Sequence, residues 1–488
     1  MKLQWNQIDW KKAEEQVNRL QIRIVKATLE QKWRLVKRLQ YLMTNSLYAK
    51  ALAVRRVITN KGKRTPGIDG ELWETDKDRT NAIERLDCRT YHAKPLKRIY
   101  IEKFGKKEKR PLGIPTMKDR AMQALQLLAL EPVAETTADR ISFGFRRYRS
   151  SEDAREYAFS VLSRRDSPQW ILEGDIKSCF DKISHQWMIE NIPADKRILK
   201  EFMKCGYVEK RQLFPTKEGS PQGGVISPTY ANMVLDGLEP MILDKYWRSR
   251  VKKTFSVKHN RHKVHVVRFA DDFIVTASDR ESLLEIKEMI VTFLGQRGLK
   301  LSEEKTVITH IDDGFDFLGW NFRKFKGKLI IKPSHKSMSK ITKKLSGIVK
   351  ENHASKQETL IRKLNEVIVG WANYHHSACA KKCFSTIDHR VWEMLWKWAK
   401  RRHPNKCKSW IVNKYWKNYK SRKWTFMTEE NILFLMMDMP IVRKGQMALN
   451  KNPFLEPDYF EKRARKHRYN RKKAICSNRA AQIGYYAL

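Results

Sequence analysis

At 488 residues the chain is longer than one hydrophobic core usually organises, so roughly two to four packed lobes around a shared cleft are expected. Its 99 Lys and Arg against 54 Asp and Glu leave a formal charge of +45, which repels itself unless a polyanion neutralises it, and nucleic acid is the obvious one. Hydrophobic content of 41% with only 21 Gly and 16 Pro excludes a disordered basic tail, so the positive charge must be carried on folded elements.

No apolar run reaches the roughly 18 residues of a membrane span, and the opening MKLQWNQIDWKKAEEQ lacks the apolar segment of a signal peptide, so a soluble, intracellular protein without a membrane partner is expected. The first helical stretch runs from about Trp10 to Val57, with Val17, Leu20, Ile24, Ala27, Leu29, Trp33, Leu35 and Leu39 at three- and four-residue intervals between Lys and Arg. TNKGKRTPGIDG, Thr59 to Gly70, reads as a tight loop. KPLKRIYIEKFGKKEKRPLGIP then reads as a basic hairpin turning at Phe104-Gly105, and helical spacing returns from Asp119 to Glu135.

Beyond Pro333 the pattern changes to long helices rich in Trp and Lys, and beyond Thr428 aromatic and basic residues alternate. Seven scattered cysteines form no disulfide framework. His376, Cys379 and Cys383 have a helical spacing that could present soft metal ligands, but the surrounding apolar pattern with Trp371 and Tyr374 reads more strongly as helix core.

Two segments between these regions carry acids at strand ends. WILEGDIKSCFDKIS delivers Asp175 at the end of an apolar strand, and Gly174 before it would let the backbone lie close to a ligand. In VHVVRFADDFIVTAS, two runs of β-favouring residues flank Asp271 and Asp272, which reads as a hairpin with carboxylates at its tip. Neighbouring carboxylates repel, and a fold tolerates them best with a cation between them. Magnesium suits nucleotidyl transfer by two ions about 3.5 to 4 Å apart, because water and phosphates complete the oxygen shell.

FADD at 269–272, GDIKSCFDKISH at 174–185, EGSPQGGVISPTYANMVLDGLE at 218–239, RPLGIPTMKDRAMQ, SFGFRRYRSSEDA and FLGW at 317–320 together resemble the reverse transcriptases encoded by group II introns. The resemblance implies an α+β, right-hand polymerase: an N-terminal extension (1–70), fingers and a palm with an antiparallel sheet (71–330), a helical thumb or maturase region (331–425) and a DNA-binding end (426–488). It implies catalysis by Asp175, Asp271 and Asp272, two Mg²⁺ ions held by these with Ile176, and nucleotide contacts from Lys103, Arg110, Phe180 and Gln222. Phe180 would exclude a 2′-hydroxyl by bulk, and Gly223 and Gly224 would allow close backbone approach.

The basic face of Lys381, Lys382, Lys397, Lys400, Arg401 and Arg402 would track phosphates. Implied partners are the intron RNA, target DNA and dNTPs, in a ribonucleoprotein of the bacterial cytoplasm. Phe269 replaces the family's usual Tyr, and Lys103 and Arg110 are spaced more widely than in the motif. Only Cys476 follows Cys407, so the paired-cysteine HNH nuclease of longer relatives is not expected. A splicing-only maturase and a domesticated reverse transcriptase are the rival readings.

Overall fold

The structure is a computed structural model that describes residues 4–102, 109–219, 223–248, 256–419 and 422–477, with only the backbone of 474–477. Lys103, Gln222 and the Phe104-Gly105 turn lie outside the described residues. The chain divides into two compact units: residues 1–154, 170–308 and 448–460 form the first, and 155–169, 309–447 and 461–488 the second.

The first unit is organised around the helix Met117–Thr137, which buries Ala121, Met122, Leu125, Leu130 and Val133 on several sides, as a helix apolar all round must. Thr116 caps it by accepting from the Asp119 amide at 3.2 Å. Helices Trp10–Leu29 and Leu47–Thr59 pack against it, so the N-terminal segment contributes to the core. Pro132 lies inside the central helix and has no N–H to give the carbonyl four residues back, at Leu128. Gln21, 2% exposed, supplies the missing donor: its Nε2 lies 2.9 Å from that oxygen.

The apolar periodicity read through Trp10–Val57 is broken. Helix Trp10–Leu29 ends and helix Trp33–Asn45 begins across a left-handed Gln31 (φ 54°), which resets the phase and leaves Leu29, Trp33 and Leu35 exposed.

Strands β1 (Leu96–Glu102) and β2 (Lys109–Ile114) form the expected antiparallel hairpin. After β3 (Trp170–Asp175), the short pair β4 (Tyr207–Glu209) and β5 (Gln212–Phe214) extends that hairpin into a sheet of order β2-β1-β4-β5. A second sheet has the order β6-β7-β3-β8, from β6 (His265–Phe269), β7 (Asp272–Ala277) and an edge strand β8 (Val307–His310). Val266, Val275 and Leu172 bury its inner positions in the same core.

In the second unit, β9 (Phe315–Phe317), β10 (Trp320–Phe325) and β11 (Lys328–Pro333) make an antiparallel sheet of order β11-β10-β9. Helices His335–Glu351, Gln357–His375 and Lys381–Arg402 follow, then Lys408–Tyr415 and the hairpin β12 (Trp416–Tyr419) and β13 (Arg422–Phe426). Ile341, Leu345, Leu360, Leu364, Phe384 and Leu395 close a core among them. The helical face proposed to align His376, Cys379 and Cys383 does not form, because one helix ends at His375 and Cys383 belongs to the next, begun at Lys381. Among the described residues, no cluster with metal-ligand spacing contains Cys379 or Cys383. No described helix is long and apolar enough to cross a membrane.

Gln21→Leu keeps the bulk but strands the Leu128 carbonyl in the core. The expected cost is about 1–3 kcal/mol, read as a lower urea midpoint. An unchanged midpoint would mean that another group satisfies this oxygen.

Candidate active site

The antiparallel register of β3 with β7 sets Gly174 opposite Phe273 and Asp175 opposite Asp272. Phe269 pairs with Asp272 across β6 and β7, which leaves Ala270 and Asp271 as the connecting turn, Ala270 in the left-handed region at φ 56°. Three carboxylates from two distant stretches of sequence therefore meet at one end of the sheet. Gly174 has a different purpose from the one its position suggested: a Cβ there would stand 2.1 Å from the Phe273 ring, so it makes room for a core aromatic.

Asp175 is fixed by a returning segment. Its carbonyl accepts from the Ser302 amide at 2.8 Å, the Lys177 amide donates to the Lys300 carbonyl at 2.9 Å, and Ile176 bridges Leu301. This brings Lys305, the last residue of a short helical turn, against Asp175, where its ammonium donates to the carboxylate. The Ile176 side chain is a buried hydrocarbon with no ligand atom, so the residue could contribute to the site only through its carbonyl oxygen.

Desolvation raises Asp271 above its ordinary value, and Asp175 adds to this while Arg110 and Lys305 oppose it. Asp272 is pushed up to about 6 by desolvation first, then by Asp271 and Asp175. The residue is nevertheless exposed in the fold, so solvent screens part of this repulsion. Crowded hard oxygens in a positively charged surround, with a lysine already serving as counter-ion, fit a divalent cation bound through oxygen.

Behind the acids lies a buried charge that sequence reading missed. Arg268, 1% exposed in β6, donates to the Asp236 carboxylate and to Asn232 Oδ1 at 3.3 Å, with Asp139 Oδ2 at 3.7 Å. Burial pushes Asp236 up, against the pull of Arg268. The Arg268 backbone is also held, by the Ile141 carbonyl at 3.0 Å and the Phe143 amide at 2.9 Å. Asn232 reaches on to the Gly144 carbonyl at 2.7 Å, and a Cβ on Gly144 would lie 2.4 Å from the Ala270 nitrogen, so the SFGF segment lies against the acidic turn. Phe145 follows, 57% exposed at φ 57°. An arginine inside a buried apolar strand demands counter-ions, and that was the available sequence signal. Lys305 left none, since 130 residues separate it from Asp175.

Among the other expected site residues, Arg110 is exposed on β2 and close enough to act on Asp271. Phe180 lines a cavity of about 460 Å³ with Arg98, Tyr100, Gly113 and Lys217, while also packing on the core. Gly223 (φ 110°) abuts the Gly113 carbonyl of the hairpin, where a Cβ would lie at 2.6 Å.

The basic face of the second unit is divided. Lys381 gives its ammonium to the Met437 carbonyl at 2.6 Å, and Arg402 binds the His353 and Ser355 carbonyls at 2.9 and 3.0 Å. Lys382, Lys397, Lys400 and Arg401 are exposed. Lys397, Arg401 and Arg402, with Lys350 and Arg390, line a cavity of about 1130 Å³.

Three family models match the chain: the N-terminal domain of reverse transcriptase over residues 5–86, reverse transcriptase (RNA-dependent DNA polymerase) over 101–322, and the group II intron maturase-specific domain over 338–416. The group II intron-encoded protein LtrA of Lactococcus lactis subsp. cremoris is 31% identical, with 58% of this chain and 56% of LtrA covered. Protein YkfC of Escherichia coli (strain K12) is also 31% identical, with 58% of this chain and 82% of YkfC covered. The chain thus spans little more than half the length of LtrA. A telomerase structure from Candida albicans matches at 14% identity and a TM-score of 0.37, over 68% of this chain and 63% of that one. The chain belongs to the group II intron reverse transcriptase and maturase family.

An acid with a raised pKa binds its proton more tightly when folded, so stability falls as pH rises through the window between the unfolded and folded values. For Asp272 that window runs from its ordinary 3.8 to about 6. Thermal melts in EDTA should therefore show Asp272→Asn above the parent in Tm at pH 7, with the gap closing towards pH 4. Equal melting at both ends would mean that Asp272 is not crowded in the cation-free protein.

Proposed function

We propose that the protein is an RNA-templated DNA polymerase that works with a group II intron RNA. The carrying observation is the register that sets Asp175 opposite Asp272 with Asp271 beside them. Asp175, Asp271, Asp272 and the Ile176 carbonyl would hold two Mg²⁺ ions, which when bound activate a primer 3′-hydroxyl and take up charge on the departing pyrophosphate. Arg110 would fork onto phosphate oxygens of the incoming dNTP, and its electrostatic reach to Asp271 supports that role. Lys103 and Gln222 would complete the nucleotide contacts. Phe180, at the wall of its cavity, would sit under the sugar and reject a 2′-hydroxyl.

In this reading, residues 1–70 are an extension packed on the fingers, 71–330 the fingers and palm, 331–425 the thumb and maturase region, and 426–488 a DNA-binding end. The match to the maturase-specific domain supports a second role, in which Lys382, Lys397, Lys400 and Arg401 hold the intron RNA for splicing while Lys381 and Arg402 brace that surface. Target-primed reverse transcription, with nicked DNA as primer, would then serve intron mobility in a cytoplasmic ribonucleoprotein.

Primer extension on an RNA template is the direct test. Asp271→Ala should lower the rate by roughly a thousandfold, as loss of a preorganised charge-stabilising group does. Activity equal to the parent would sink the assignment. In the same assay Phe180→Ala should extend with rNTPs far more readily while keeping dNTP activity. A variant that still rejects rNTPs would leave Phe180 as core alone.

A further inference from the structure

Three indoles of the second unit stand nearly parallel. Trp392 and Trp396, one turn apart on helix Lys381–Arg402, have ring centroids 5.9 Å apart and planes 4° apart. Trp424 of β13 continues the series, 6.4 Å and 8° from Trp392. Trp416, buried in β12, braces the row from behind at 5.8 Å from Trp396.

The last ring is the unusual one. Trp424 is 56% exposed, and its backbone is left-handed at φ 64°, a conformation that a bulky side chain adopts only under strain. Burial does not compensate, because the outer face of the indole meets solvent. The fold spends strain to hold a flat aromatic surface in the open, aligned with two others.

The charge around it is positive. Lys417 and Lys423 are exposed on the hairpin, and Lys400 lies one turn beyond Trp396. Of the acids on these elements, Asp438 is paired with Arg422, and Glu393 lies 3.5 Å from His389. A row of parallel rings on a lobe rich in exposed lysines is an arrangement that binds single-stranded nucleic acid, the bases stacking and the phosphates meeting the cations.

We propose that Trp424 stacks an unpaired base of RNA, extending the Trp396–Trp392 row, with exposed lysines of the same lobe taking the flanking phosphates. The choice of RNA rests on the reading of the second unit as the intron-holding region, since Trp392 and Trp396 lie within the maturase-specific match. Paired bases hide their faces in the helix, so the site selects loops, bulges or ends.

The test uses the full chain and a 5-bromouridine-substituted ten-nucleotide oligoribonucleotide, without dNTPs or divalent cations, so that binding is read independently of polymerisation. Trp424→Gly is the informative variant, because glycine suits the left-handed backbone and removes the ring while relieving strain. Its affinity for the oligonucleotide should fall by roughly 5- to 150-fold, the range for one stacked base, and Trp424→Phe should recover most of it. The salt slope should stay constant, because the lysines remain. Photocrosslinking of the parent should label the peptide that contains Trp424.

Parent-like affinity of Trp424→Gly, or crosslinks confined to other peptides, overturns the proposal. So does an equal loss for a hairpin duplex of the same length, which would mark a general change in the surface. An equal loss for the matching DNA oligonucleotide overturns the assignment to RNA. None of these results depends on whether Asp271→Ala abolishes extension.

Discussion

Mutual repulsion among Asp175, Asp271 and Asp272 is the constraint around which the first unit is arranged. Three carboxylates at one sheet end oppose folding unless the backbone leaves them no alternative and positive charge stands close by. The backbone part is the β3 and β7 register, which fixes Asp175 opposite Asp272 through ladder hydrogen bonds that run back into the apolar core. Lys305 on Asp175, with Arg110 and Lys305 acting on Asp271, supplies the charge. Neither cation neutralises the cluster, and the raised Asp272 is the remainder that a bound divalent ion would resolve.

That arrangement needs a rigid base, and Arg268 provides it at the cost of burying a charge. Asp236, Asp139 and Asn232 come from two separate segments that precede β6, so the arginine ties helix Ser227–Leu235 and the 139–144 segment to the strand that leads into the acids. Breaking such a pair from one side typically costs about 3–5 kcal/mol, because an uncompensated charge stays behind. Left-handed backbone also occurs in this part of the chain: Ser178, Ala270 and Phe145 all carry positive φ without being glycine. Local strain persists only where surrounding contacts over-determine it, as this network does.

The acidic turn was legible because its signal is local: β-favouring runs on both sides of two adjacent acids admit few structures other than a hairpin. The basic hairpin and the central helix were readable for the same reason. What escaped was long-range or depended on phase. Lys305 reaches Asp175 only because the segment 300–302 returns alongside β3, which no periodicity reveals. The N-terminal repeat looked continuous because Gln31 carries no turn signature, yet its left-handed backbone starts a new helix in a different phase. Gly174, beside a site acid, suggests clearance for a ligand, whereas the crowding it relieves comes from Phe273 across the sheet. The helix end at His375 likewise has no Gly or Pro to mark it, so the spacing of His376, Cys379 and Cys383 suggested a face that the chain does not make.

The basic residues show why charge alone identifies a partner but not a contact. Of the six cations on helix Lys381–Arg402 singled out from the sequence, Lys381 and Arg402 spend their donors on main-chain carbonyls and so act first on the fold. Screening and side-chain freedom would make the exposed remainder interchangeable towards phosphates, so no one of them could specify a sequence or a shape. Discrimination must come from groups with fixed geometry. In the second unit those are the aromatic rings locked against one another between the helix and the β12–β13 hairpin, whose orientation the packing determines and whose outer face it leaves open.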